Sequence, residues 1–208
     1  MRLIILTVIL VCGSFWHVTA QKTPPPPTIY SAPNPSEIKE FISDQDGFKV
    51  SFPGIPKAQE STKNETRIRS YSVNREGSNS MVSVMEFKPG AEFDTDQFIA
   101  SYKEGILNLS TTLYGQNFPN AKIVLEKDFQ SGKNKGKEFH YEWLMMFYKV
   151  RLLFVDKKVY EVLVNVSNWH ILKDMRKEKV EEFERESERF LNSFQVLENK
   201  KEIDKLKK

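Results

Sequence analysis

The chain predicts an α+β fold, an antiparallel β-sheet flanked by α-helices in an α/β/α sandwich. Three observations carry this. Several stretches alternate apolar and polar residues with period two, as in Gly47-Phe48-Lys49-Val50-Ser51-Phe52. Two stretches carry apolar residues three and four apart, the helical spacing. Strand runs separated by two such helices cannot all be joined by parallel crossovers, so antiparallel pairing follows.

The elements come in this order. The strand at 47–52 is stopped by Pro53-Gly54-Ile55-Pro56, residues that cannot continue a ladder. Arg67 to Asn74 repeats the pattern, Arg75 to Asn79 turns the chain, and Met81 to Phe87 returns. These three strands are expected to form a meander. After Pro89-Gly90 the period changes. Asp94 or Thr95 can cap a helix running to about Leu113, with Phe98, Tyr102, Ile106 and Leu109 on one side, and Gly115 and Pro119 close it. Sheet resumes over Ala121 to Phe129, turns through Ser131 to Gly136 and continues from Glu138. Arg151 to Val155 and Val159 to Val166 read as a hairpin about Asp156-Lys157-Lys158. A last helix covers roughly Asp174 to Asn192, and Phe194 and Val196 end the domain.

Appendages flank this domain, which is assigned residues 37–197. Arg2 and the apolar run Leu3 to Val11, with Val18-Thr19-Ala20 before Gln21, make 1–20 a secretory signal peptide. The run is too short to span ~30 Å of hydrocarbon, so no stable membrane insertion is expected after cleavage. Lipidation of Cys12 is the competing reading, with bulky Val11 against it. Residues 21–36, with four consecutive prolines, form a stiff linker. Residues 198–208 form a charged tail.

Composition narrows the function classes. The chain has 208 residues, 31 Lys+Arg against 28 Asp+Glu, and 15 Phe, enough apolar surface to fold without staples. Its single cysteine belongs to the signal, which rules out a disulfide framework or a Cys-rich metal site in the mature chain. With Arg2 removed and the tail holding the remaining excess, residues 21–197 carry no net charge. Nothing in that balance calls for nucleic acid.

Gly47-Phe48-Lys49-Val50-Ser51-Phe52-Pro53-Gly54-Ile55-Pro56 resembles the opening of a group of exported bacterial domains of unknown function. The ending of that group is similar to Tyr160-Glu161-Val162-Leu163-Val164, then a helix, then Phe190-Leu191-Asn192-Ser193-Phe194. The group looks like the PsbP-like fold, and the resemblance covers about Phe41 to Leu197. It implies an antiparallel sheet between helices and a binding or assembly role without chemistry of its own. No functional residue carries over, because the matching positions are packing and turn residues.

Four features bear on a site. Glu138, His140 and Glu142 share one face of a strand, with Phe139, Tyr141 and Trp143 on the other. A metal there would need ligands nearly 7 Å apart along one strand to converge, so a polar face opposite an aromatic one is the simpler account. Gly132-Lys133-Asn134-Lys135-Gly136-Lys137 lacks the spacing and following helix of a phosphate loop and reads as a turn, its glycines supplying positive φ. Its lysines offer generic anion attraction, joined by Lys157 and Lys158 if the hairpin tips are neighbours. His170 sits at a strand-to-helix junction.

The last feature is Trp143-Leu144-Met145-Met146-Phe147-Tyr148, where alternation is abandoned. One long strand covered on both faces would explain it. An apolar turn with adaptable methionines at its tip would instead be an interaction surface. These six residues are the predicted partner-binding surface. The expected function is an exported, non-enzymatic binding or assembly module of the cell envelope, with an envelope protein as partner and no cofactor or metal. The alternative is an envelope hydrolase or metal-dependent enzyme centred on His140, and a weaker one is a small-ligand carrier.

Overall fold

The computed structural model describes residues 38–197, apart from 76, 89–92, 110–111, 114–115 and 118–119. The signal peptide, linker and charged tail lie outside the described residues, as do Cys12, Pro89-Gly90, Gly115 and Pro119. The elements are β1 (Lys39–Ser43), β2 (Phe48–Phe52), β3 (Lys57–Lys63), β4 (Thr66–Arg75), β5 (Ser78–Glu86), α1 (Thr95–Leu107), β6 (Thr112–Leu113), β7 (Gln116–Asn117), β8 (Lys122–Ser131), β9 (Asn134–Trp143), β10 (Met146–Val155), β11 (Lys158–Val166), α2 (Trp169–Met175), α3 (Lys177–Ser193) and β12 (Gln195–Val196).

Seven strands form one sheet in the order β3-β4-β5-β11-β10-β9-β8, and β1-β2-β12 form a second, smaller one. Every pairing in both is antiparallel. Alternation along the central strands sends side chains into two separate cores. On one face Phe139, Tyr141, Val150 and Leu152 meet Phe98, Tyr102 and Ile106 of α1. On the other, Val82, Val84, Val162 and Val164 meet Phe48, Val50 and Phe52 of β2 and Phe183, Phe190 and Leu191 of α3. Helices therefore flank the sheet on both sides, but one layer is shared with the small sheet and strands predominate.

Several elements differ from expectation. The strand at 48–52 exists but pairs with β1 and β12, so the meander with β4 and β5 begins instead at β3. Period two fixes which face a side chain takes and is silent on which strand lies beside it. Helix α1 is capped as expected, Asp94 accepting from the amides of Asp96 at 2.9 Å and Gln97 at 3.0 Å, but it ends at Leu107, and Leu113 belongs to β6. The last helix is two, broken at Arg176 with φ −145°, so Asp174 lies in α2.

The turn after β8 is only Gly132-Lys133, with Gly132 at φ +60°. Gly136 is not a turn residue. It lies inside β9, where a Cβ would come within 2.3 Å of the Leu152 carbonyl and 2.4 Å of the Phe129 ring. Close backbone approach, not positive φ, requires that glycine.

Candidate functional site

The chain reverses inside the predicted contact run. Trp143 closes β9, Met146 opens β10, and Trp143 pairs with Met146 across the two-residue turn Leu144-Met145. Leu144 takes φ +55°. The single long strand is therefore replaced by a hairpin, and the six residues divide. Met145 is 57% exposed at the tip, while Trp143, Leu144 and Met146 are half-buried. Phe147 and Tyr148 are buried on opposite faces of the sheet and offer nothing to a partner.

The base of this tip is held firmly. The Met145 carbonyl accepts from the Trp169 amide at 2.8 Å, tying the turn to the start of α2. Phe147 stacks on Trp169 with centroids 4.4 Å apart, and Tyr148 stacks on Tyr141 at 4.5 Å. The Trp169 indole donates to Glu142 at 3.1 Å, and Lys173 donates to the same carboxylate at 2.8 Å. Ile171 of α2 is 52% exposed. The hydrogen bond from Lys173 holds Glu142 below the usual carboxylate range.

The two tryptophans at this end differ in a testable way. The Trp143 indole N–H is buried without a partner, whereas that of Trp169 is bonded. An unsatisfied buried donor costs about 1–3 kcal/mol, so its removal offsets much of the volume lost in Trp143→Phe. Urea unfolding is expected to show a smaller loss for Trp143→Phe than for Trp169→Phe, and the reverse order would refute this account.

The row Glu138, His140, Glu142 also divides. Glu138 is 1% exposed, and its carboxylate accepts from Arg151 at 2.6 Å, pairs with Lys127 at 3.1 Å, and lies 2.8 Å from His140 Nε2. Burial pushes this carboxyl up, but the hydrogen bonds from His140 and Arg151 and the Arg151 charge outweigh it and hold it at about 2. Glu142 turns away to Trp169 and Lys173. Two cations stand beside the Glu138 carboxylate where a divalent ion would need acidic neighbours, and the described residues contain no group of three ligands suited to a metal.

This polar face is not simply solvated. Lys149, buried, donates to Glu184 at 2.5 Å and Glu188 at 3.1 Å of α3, and Arg151 reaches Asn192 at 2.7 Å. Beside the row, β10 is thus a docking surface for the acidic residues Glu184 and Glu188 of α3. Nothing in the pattern of the strand alone announces α3 as its neighbour.

At the opposite end of the sheet, the tips are neighbours. Lys133 of the β8–β9 turn, Lys157 of the β10–β11 turn and Lys158 at the start of β11 line one cleft of about 1020 Å³. His170 is exposed on α2.

Compared with known proteins, the chain is similar to the solution structure of cyanobacterial PsbP from Synechocystis sp. PCC 6803, 10% identical, with 81% of this chain and 97% of that chain covered and a TM-score of 0.49. It is also similar to a protein of unknown function from Pseudomonas aeruginosa, 8% identical, covering 69% of this chain and 93% of that chain with a TM-score of 0.38. The first is of the kind to which the sequence shows its resemblance, and neither likeness bears on partner or activity. No protein-family model and no curated protein matches the chain.

Proposed function

We propose that this chain is a non-enzymatic binding or assembly module of the cell envelope that contacts a protein partner through the hairpin tip Trp143–Met146. The observation that carries the reading is the chemistry of the turn. A two-residue hairpin turn with positive φ at its first position favours Gly or Asn there. This one has Leu144 at φ +55° and an exposed Met145. A leucine in that conformation costs about 1 kcal/mol or more, and an exposed methionine returns nothing to the fold. Residues that folding disfavours, mounted on a base fixed by Trp169 and Phe147, suit a pre-organised contact.

The ion pairs around Glu138 count against the alternative of a hydrolase or metal-dependent enzyme centred on His140. The N-terminal signal pattern supports export, and the apolar tip supports a protein surface as the partner.

The test exploits the conflict between stability and contact. Leu144→Gly/Met145→Ser is expected to raise stability by about 1 kcal/mol in denaturant unfolding. A photo-crosslinker at position 145 in the exported protein is expected to give a discrete protein adduct, and one at Ile55, also exposed, is not. Pre-incubating with an excess of wild-type domain should compete the adduct away, and the Gly-Ser variant should not. A variant that competes as well as wild type, or equal labelling from both positions, would refute the proposal.

A further inference from the structure

The two ends of the large sheet differ in character. One carries the apolar tip. At the other, the turns β1–β2, β3–β4, β8–β9 and β10–β11 gather around the cleft of about 1020 Å³. The carboxylates lining it are mostly matched within the fold. Glu65 pairs with Lys88 at 2.7 Å, Glu86 lies 3.5 Å from Arg69, and Asp46 is neutralised by Arg69. Arg67 is taken by Glu60 through two hydrogen bonds of 2.7 and 3.0 Å.

Lys157 and Lys158 differ. Neither makes an ion pair among the described residues, and the contact of Lys158 is a long one to the Asp46 carbonyl at 3.5 Å. Lys133 approaches the same cleft from the neighbouring turn, with Asn134 beside it, and Phe87 and Phe154 supply an apolar wall. Asp156, at the tip itself, makes no ion pair among the described residues and tempers this charge.

We propose that the cleft binds a small phosphate-bearing ligand, its phosphates held by Lys157, Lys158 and Lys133 and its apolar part against Phe87 and Phe154. The choice of phosphate over carboxylate rests on the available donors. Planar carboxylates are recognised best by the guanidinium fork, and Arg67, which lines the cleft, is spent on Glu60, as the buried Arg69 is on Asp46. Lysines are point charges, which favour a compact group of high charge over a planar one. The two turns are short and joined through the β9–β10 pairing, so the lysines are presented on a fixed frame.

Pyrophosphate is the probe. Titration of the exported, signal-free chain at low salt, followed by calorimetry and amide NMR shifts, is expected to show saturable binding with shifts at the 132–134 and 156–158 turns. Affinity should fall at least tenfold in Lys157→Ala/Lys158→Ala and fall with added salt. Lys157 is exposed and Lys158, half-buried, makes no ion pair among the described residues, so the melting temperature of this variant should stay close to wild type and Lys179→Ala should bind normally. Citrate at equal ionic strength should bind markedly more weakly. No saturable binding below about 10 mM, an undiminished affinity in the double variant, or equal affinity for citrate would each overturn the proposal.

Discussion

Asp46→Ala is expected to cost about 3–5 kcal/mol, the scale on which breaking a buried ion pair destabilises. Asp46 is fully buried in the turn between β1 and β2, and four groups converge on it. Its carboxylate accepts from the Tyr71 hydroxyl at 2.6 Å, from Ser43 at 3.1 Å and from Arg69 at 2.5 Å. Its carbonyl accepts from Tyr160 at 2.7 Å. Tyr71 and Arg69 belong to β4 and Tyr160 to β11, so a single turn residue locks the small sheet onto the large one. Truncation leaves the Arg69 guanidinium buried with the more distant Glu86 as its nearest remaining carboxylate.

The same network marks its tyrosines. Burial and the hydrogen bond to Asp46 push Tyr71 up to about 12, and burial beside the Asp46 charge pushes Tyr160 up as well. Thermal unfolding of Asp46→Ala should therefore fall by roughly 10 °C, taking ~2–4 °C per kcal/mol for a domain of this size. Tyr160→Phe, which removes one hydrogen bond, should lose only about 1–2 kcal/mol. A loss below 1 kcal/mol in Asp46→Ala would show that apolar packing alone fixes the small sheet.

That clasp was invisible in the sequence, and the reason is general to this fold. Asp46 meets partners 23, 25 and 114 positions away, and no local period encodes such distances. What local pattern does encode came through: the alternation of β2, β4, β5 and β11, the apolar spacing of α1 and its Asp94 cap. Strand β3, Lys-Ala-Gln-Glu-Ser-Thr-Lys, has no apolar alternation because it is an edge strand, held by its ladder to β4 and by the Arg67–Glu60 pair. Charge on an edge also discourages pairing with other chains, so its silence has a physical use. The break at Arg176 has no proline or glycine to announce it.

The contact run shows the same division. Loss of alternation at 143–148 was legible as an anomaly, but a turn built from Leu144 and Met145 carries none of the residues by which turns are recognised. Its two flanking aromatics, Phe147 and Tyr148, belong to opposite cores, which a hairpin register assigns and composition does not. Likewise Glu138 and His140 were visible as neighbours on a strand, while the cations that claim Glu138 sit on β8 and β10.

Glu138 is the second residue with a large expected effect, and its signature is acid sensitivity. Its carboxyl is lowered in the fold from 4.5 to about 2, burial opposing and the contacts to His140, Arg151 and Lys127 prevailing. A carboxyl depressed in the native state stabilises it above the unfolded value, and that stabilisation is lost as pH falls from about 4.5 toward 2. The difference corresponds to stability on the order of 3 kcal/mol at neutral pH. Glu138→Gln should therefore be less stable than wild type by that order at pH 7, because Arg151 and Lys127 lose their counter-charge. The gap should narrow through the acid window and nearly close at about pH 2. Denaturant unfolding at several pH values measures it directly. A gap that stays constant with pH would mean that shape, and not charge, is what the position requires. A proton donor for hydrolysis would need the opposite arrangement, a carboxyl raised toward neutrality. Here the strongest acid of the row is held ionised and turned toward arginine and lysine, a geometry that holds β8, β9 and β10 together.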